Sequence, residues 1–193
     1  MIKNFLSKFI YKSSLDKTNL KEDLETVLDN KSNNTDGISK QERVMLMNIL
    51  KIDEILARDI MIPRPQMVFV DFEESPTDFL PRIIKSSHSR FPVINVDSDE
   101  IEGILLAKDL LPYLSSENIK DFKLSSIIRP ATLIPESKKL NLLLDELRMN
   151  RNHMAIVLDE YGGITGLVTV EDVLEEIVGE IEDEHDDKPD ILI

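Results

Sequence analysis

The sequence predicts an α+β fold in which one β-α-β-β-α unit is used twice, behind an N-terminal helical or disordered extension. Three observations predict it. Gly103-Ile104-Leu105-Leu106-Ala107-Lys108-Asp109 recurs 63 residues later as Gly166-Leu167-Val168-Thr169-Val170-Glu171-Asp172. The match extends both ways: Arg90-Phe91-Pro92-Val93-Ile94 lines up with His153-Met154-Ala155-Ile156-Val157, and Leu110-Leu111 with Val173-Leu174. Finally, a unit of about 60 residues is marginal alone, so two such units gain stability by burying their faces against each other.

The elements follow in order. In residues 1–12, Ile2, Phe5, Leu6, Phe9 and Ile10 fall at helical spacing with Lys3, Lys8 and Lys12 between them. This is a basic amphipathic pattern that suits a membrane surface or, equally, docking on a protein face. Residues 13–38 are polar, and Lys31 to Gly37 reads as a linker. Ser39 followed by Glu42 is a capping box. It predicts a lead-in helix over 39–54 with Val44, Leu46, Met47 and Leu50 on its apolar face.

The first unit is predicted over 55–120. It has a strand at Met67 to Val70, a helix from Thr77 to Lys85 and a strand at Phe91 to Val96. A turn at Asp97 to Glu100, a strand at Ile101 to Ala107 and a helix from about Lys108 complete it. The second unit is predicted over 121–184, with strands at Ala131 to Ile134, Ala155 to Leu158 and Ile164 to Val168. Its helices are Lys139 to Met149 and Glu171 to Val178, and Glu160 to Gly163 is its turn. Residues 185–193 read as an acidic tail.

Composition excludes several functions. The chain has 193 residues, no Cys and no Trp, so disulfides, thiolate metal sites and a Cys nucleophile are absent. The formal net charge is −14, and Glu171 to Asp187 holds ten acidic residues and no Lys or Arg. Such a chain has no electrostatic reason to bind nucleic acid. No apolar run reaches the length of a membrane span, and Lys8 interrupts the only segment that resembles a signal peptide. The acidic run could attract Mg²⁺, but it lacks a rigid, spaced ligand loop, and the bland reading is a solvated segment. Without a nucleophile–base pair, a phosphate-binding glycine loop or a metal triad, no enzyme is expected.

One element carries chemistry. Thr169-x-x-Asp172 sits where a strand runs into a helix N-terminus. The Asp172 carboxylate there could accept hydrogen bonds from vicinal ribose hydroxyls, and Thr169 with nearby free amides could meet sugar or phosphate. The same four residues would also serve as an ordinary helix cap. In the first unit Leu106 takes the Thr position, which predicts a single occupied site, near Thr169 and Asp172. His88 and His153 hold nearly equivalent positions and are expected in two different clefts.

The repeat, with Gly-h-x-Thr-x-x-Asp opening its last helix, resembles a pair of CBS motifs, or Bateman module. Asp59-Ile60-Met61-Ile62-Pro63-Arg64, Ser87 to Val93, and Asp159-Glu160-Tyr161-Gly162-Gly163 through Glu184 narrow the resemblance to the CorC/HlyC family of magnesium and cobalt efflux proteins. That resemblance implies an adenine-nucleotide-binding regulatory module linked to magnesium and cobalt homeostasis. It would bind ATP or AMP, with Mg²⁺ arriving on ATP. By position, it implies that Leu167, Thr169 and Asp172 face ribose and base. Asp59, Ile60 and Pro63 would come from the leading loop, and His88, Arg90 and Pro92 from the second strand. Arg64 and Arg90 are its candidates for the phosphates. It further implies a homodimer formed through the helices, a membrane-surface or transporter partner, and a cytoplasmic location, peripheral to the membrane. Family members carry an N-terminal transmembrane domain in their long form and a C-terminal transporter-associated domain; this chain reads as the short type with the latter missing. Two alternatives remain open: a haemolysin-like membrane-active factor, and a dimerisation module with empty clefts.

Overall fold

The computed structural model describes residues 21, 39–114, 122–150 and 152–179. The amphipathic start, the linker, the acidic run after Gly179 and the tail lie outside the described residues. The chain divides into two units, Met1–Ile52 with Glu176–Ile193, and Asp53–Glu175.

In the first unit, helix α1 (Lys40–Lys51) begins with the predicted capping box. The Ser39 hydroxyl accepts from the Glu42 amide at 3.2 Å, and the Glu42 carboxylate accepts from the Ser39 amide at 2.7 Å. None of its residues is buried. Asn48 donates from its side chain to the Ile177 carbonyl at 3.3 Å.

The second unit holds the repeat. Its first half runs α2 (Ala57–Ile60), β1 (Ile62–Pro63), a 3-10 turn at Arg64–Gln66, β2 (Val70–Asp71), α3 (Pro76–Ser86), β3 (Arg90–Asn95) and β4 (Glu100–Leu106). A 3-10 turn at Ala107–Leu110 and α4 (Leu111–Leu114) close that half. Its second half has a 3-10 turn at Leu124–Ser126, β5 (Thr132–Pro135), α5 (Leu140–Met149), β6 (Met154–Leu158), β7 (Ile164–Thr169) and α6 (Val170–Val178), whose last residues belong to the first unit.

Each half builds the same arrangement. A parallel pair is joined through a helix, β2 with β3 and β5 with β6, and an antiparallel hairpin follows, β3 with β4 and β6 with β7. The first predicted strand is shorter than expected: Met67 to Phe69 lie outside it, because Met67 closes the 3-10 turn by donating to the Arg64 carbonyl. The hairpin turns are held by side chains. Asn95 accepts from the amides of Asp97 and Ser98, and Asp159 accepts from those of Tyr161 and Gly163, both at 2.8 Å.

Strand alternation sorts side chains into cores. Ile94, Ile104 and Leu106 of the first half meet Met154, Ile156, Ile164 and Leu167 of the second in one shared cluster. On the opposite faces of β3 and β4, Phe91, Val93 and Leu105 pack with Phe79 and Ile83 of α3. On α5, Leu140, Leu143 and Leu147 recur at helical spacing and are almost fully buried.

The halves also exchange their leading segments. β1 pairs not with its own half but with β7, Ile62 opposite Leu167 and Pro63 opposite Gly166. Reciprocally, Arg129 bridges to Ile104 of β4 through two backbone bonds of 2.8 and 2.9 Å. Two glycines permit this crossing. A Cβ on Gly166 would stand 2.5 Å from the Ile62 carbonyl oxygen, and one on Gly103 would stand 2.6 Å from that of Arg129. The first glycine of each repeated heptad is therefore a point of backbone contact between halves.

Candidate functional site

The exchange leaves a cleft of about 410 Å³. Its floor is apolar, from Ile62, Met67, Met154 and Leu167, and most of its polar wall comes from three places. The first is the start of α6, with Thr169, Glu171 and Asp172. The second is the segment from Ser87 to Arg90. The third is His153, just ahead of β6.

Local structure explains each placement. Ser87 takes a left-handed conformation at φ 56° and ends α3, its amide donating to the Ile83 carbonyl. The chain turns there, so that His88 and Ser89, with Arg90 at the first position of β3, line the cleft. The His88 ring tilts against Phe91 at 6.1 Å between centroids. At the start of α6, one carboxylate oxygen of Asp172 accepts from the Thr169 amide at 2.6 Å and from its hydroxyl at 2.8 Å. The same hydroxyl accepts from the Asp172 amide at 3.2 Å. Thr169 and Asp172 thus form a reciprocal cap, as a capped helix requires. The cap and a ligand role are compatible: these bonds engage a single Asp172 oxygen, and the carboxylate sits in the cleft wall at the positive end of a nine-residue helix.

His88, Arg90, Leu167, Thr169 and Asp172 of the sequence-derived set come together here. Asp59, Ile60, Pro63 and Pro92 do not line the cleft. Asp59 accepts from the Leu56 amide at 2.9 Å and so caps α2, which Ile60 ends. Pro63 is spent on the crossing with Gly166, and Pro92 is buried in β3 opposite Ile104. Arg64 does not line it either; it pairs with Asp99 in the first hairpin and donates to the Ile164 carbonyl. The leading loop instead contributes Ile62, Gln66, Met67 and Val68.

His88 and His153 do not occupy separate clefts. Both line this one, because the two halves face each other where β3 and β6 begin. Arg90 and His153, equivalents in the repeat, also line a second and much smaller cleft of about 60 Å³ beside Leu106. Among the described residues no group of three or more His, Asp and Glu side chains gathers as a metal site.

Two β-α-β-β-α units that exchange leading strands around such clefts define a CBS pair, and comparison with known proteins agrees. The CBS domain family model matches residues 57–116 and again 120–179. The magnesium and cobalt efflux protein CorC of Vibrio cholerae is 53% identical over 153 residues, which is 79% of this chain and 52% of that protein. The solved CBS domain of the bacterial CNNM/CorC family Mg²⁺ transporter in complex with ATP is 45% identical with a TM-score of 0.69, covering 73% of this chain and 99% of that one. A CBS-domain pair with bound AMP from Klebsiella pneumoniae is 28% identical with a TM-score of 0.56, covering 65% and 99%. The chain belongs to the CBS-domain family, as a tandem pair of the CNNM/CorC kind. It spans about half the length of the curated relatives it matches.

Proposed function

We propose that this chain is an adenine-nucleotide-binding regulatory module of a CorC-like magnesium and cobalt efflux protein, and that it binds one ATP or AMP in the larger cleft. The observation that carries the reading is the company Asp172 keeps. A carboxylate at a helix N-terminus lines a cleft of about 410 Å³ with an apolar floor, and Arg90 stands in the same wall with no carboxylate partner among the described residues. Asp172 would accept from ribose hydroxyls, Arg90 would meet phosphate, and His88 would lie along the adenine. Mg²⁺ would enter with ATP, held by its phosphates, since Glu171 and Asp172 already make that end of the cleft negative. Solved relatives in complex with ATP and with AMP support the ligand class.

Binding, not chemistry, is the work of such a cleft, and the signal would pass to a transport partner. Exposed apolar side chains on the helices, Ile84, Leu111, Leu142, Met149 and Leu174, supply surface for a homodimer. Among the described residues no helix is long and apolar enough to cross a membrane. Isothermal titration with ATP and with AMP tests the reading. The chain should bind one nucleotide, and Asp172→Ala, checked for folding by its melting curve, should lose at least tenfold in affinity. Unchanged affinity in the variant would refute it.

A further inference from the structure

The smaller cleft is lined by Arg129 beside Ile104 and Leu106, while the carboxylate equivalent to Asp172 does not line it and already has a cation. Asp109, the equivalent of Asp172, accepts from the Arg129 guanidinium at 2.8 Å. Arg129 comes from the second half's exchanged leading segment, where two backbone bonds to Ile104 fix it. Its counterpart in the other crossing is Ile62, opposite Leu167. Thus one leading segment delivers an apolar side chain to the floor of the open cleft. The other delivers a guanidinium that lines the smaller cleft and pairs with Asp109. Leu106, buried in the shared core, fills the place that Thr169 holds on the other side. The two volumes, about 410 and about 60 Å³, record the outcome.

We propose that Arg129 is the internal occupant of a latent second nucleotide cleft, and that with Leu106 it limits the chain to one nucleotide. The inference rests on the proposed reading of the larger cleft for its ligand class. The ion pair is partly in solvent, with Arg129 54% and Asp109 25% exposed, so an exposed pair of this kind adds little stability. Its effect falls on ligand access: it neutralises the carboxylate that would receive a ribose and occupies the space beside it.

Titration of ATP and AMP into the wild-type chain, Arg129→Ile, and Arg129→Ile with Leu106→Thr tests this. Wild type should bind one nucleotide and the double variant two, and adding Asp109→Asn should return the count to one. Arg129→Ile alone retains the Leu106 packing and serves if the double variant melts early; it should show a second, weaker binding step. A folded Arg129→Ile or double variant that still binds one, or a wild-type chain that binds two, would overturn the proposal. If wild type binds none and the double variant binds one, the reading of the larger cleft fails while the closure by Arg129 stands. If neither binds, both fail.

Discussion

The two halves of the repeat share strands, hairpins and a glycine crossing, but they part at one position. In the second half Thr169 caps a nine-residue helix and leaves its cleft open. In the first half Leu106 enters the shared core, and among the described residues a 3-10 turn and helix α4 follow it. Where the side chain turns into the core, the strand end serves packing. Where it stays at the wall, the same strand end lines the cleft proposed to take a ligand. On the proposed reading, a duplicated unit keeps one copy as scaffold and one as site by changing a single polar residue and the cation that the neighbouring segment brings.

The largest effect should come from what the halves have in common. Gly166→Val and Gly103→Val each push a side chain into a carbonyl of the crossing segment. Each should cost roughly 2–4 kcal/mol in denaturant titration. A large cost at Gly166 with none at Gly103 would show that the crossings are not equivalent.

Next comes the position where the halves differ. Leu106→Thr removes buried apolar surface and should cost about 2–3 kcal/mol. Thr169→Leu removes a cap and should cost about 1 kcal/mol, while abolishing the wall that faces the cleft. Equal costs in chemical denaturation would mean that both positions are packing positions, against the division proposed for them.

The smallest effect lies at the lead-in helix. The Ser39 amide, and then its hydroxyl, hydrogen-bond Glu42 and hold its carboxyl below the usual carboxylate range. A depressed folded value means that the capping box stabilises above the ordinary glutamate pKa of about 4.3 and loses that contribution as pH falls through the lower folded value. Melting curves of wild type and Glu42→Gln should therefore differ at neutral pH and converge as pH falls below the ordinary glutamate range. A gap that stays constant with pH would remove the carboxylate from the account.

Much of this was legible in the chain. Period-two and helical patterns placed β3, β4, α3, α5 and both hairpins, since each depends on residues close in sequence. The Ser39 capping box was legible for the same reason. The exchanged leading strands were not, because Ile62 and Arg129 carry no local mark of a partner that lies in the other half. The lining of the candidate cleft was legible at Thr169 and Asp172 from the repeat, and at Arg90 from the family resemblance. It was not legible where it depends on the crossing, which brings Gln66 and Val68 to the wall and turns Pro63 away. The left-handed Ser87 that aims His88 had no signal either, since glycine is the usual residue there. Placing both histidines in one cleft required knowing how the halves face, which the alignment alone does not contain.

The central claim is that the two equivalent aspartates have different work, Asp172 receiving a nucleotide and Asp109 receiving Arg129. Calorimetric titration of ATP into Asp172→Asn and Asp109→Asn, side by side with the wild-type chain, tests it most directly. The account predicts that Asp172→Asn loses at least tenfold in affinity and that Asp109→Asn binds one ATP as wild type does. Equal losses in both, or a loss confined to Asp109→Asn, would contradict it.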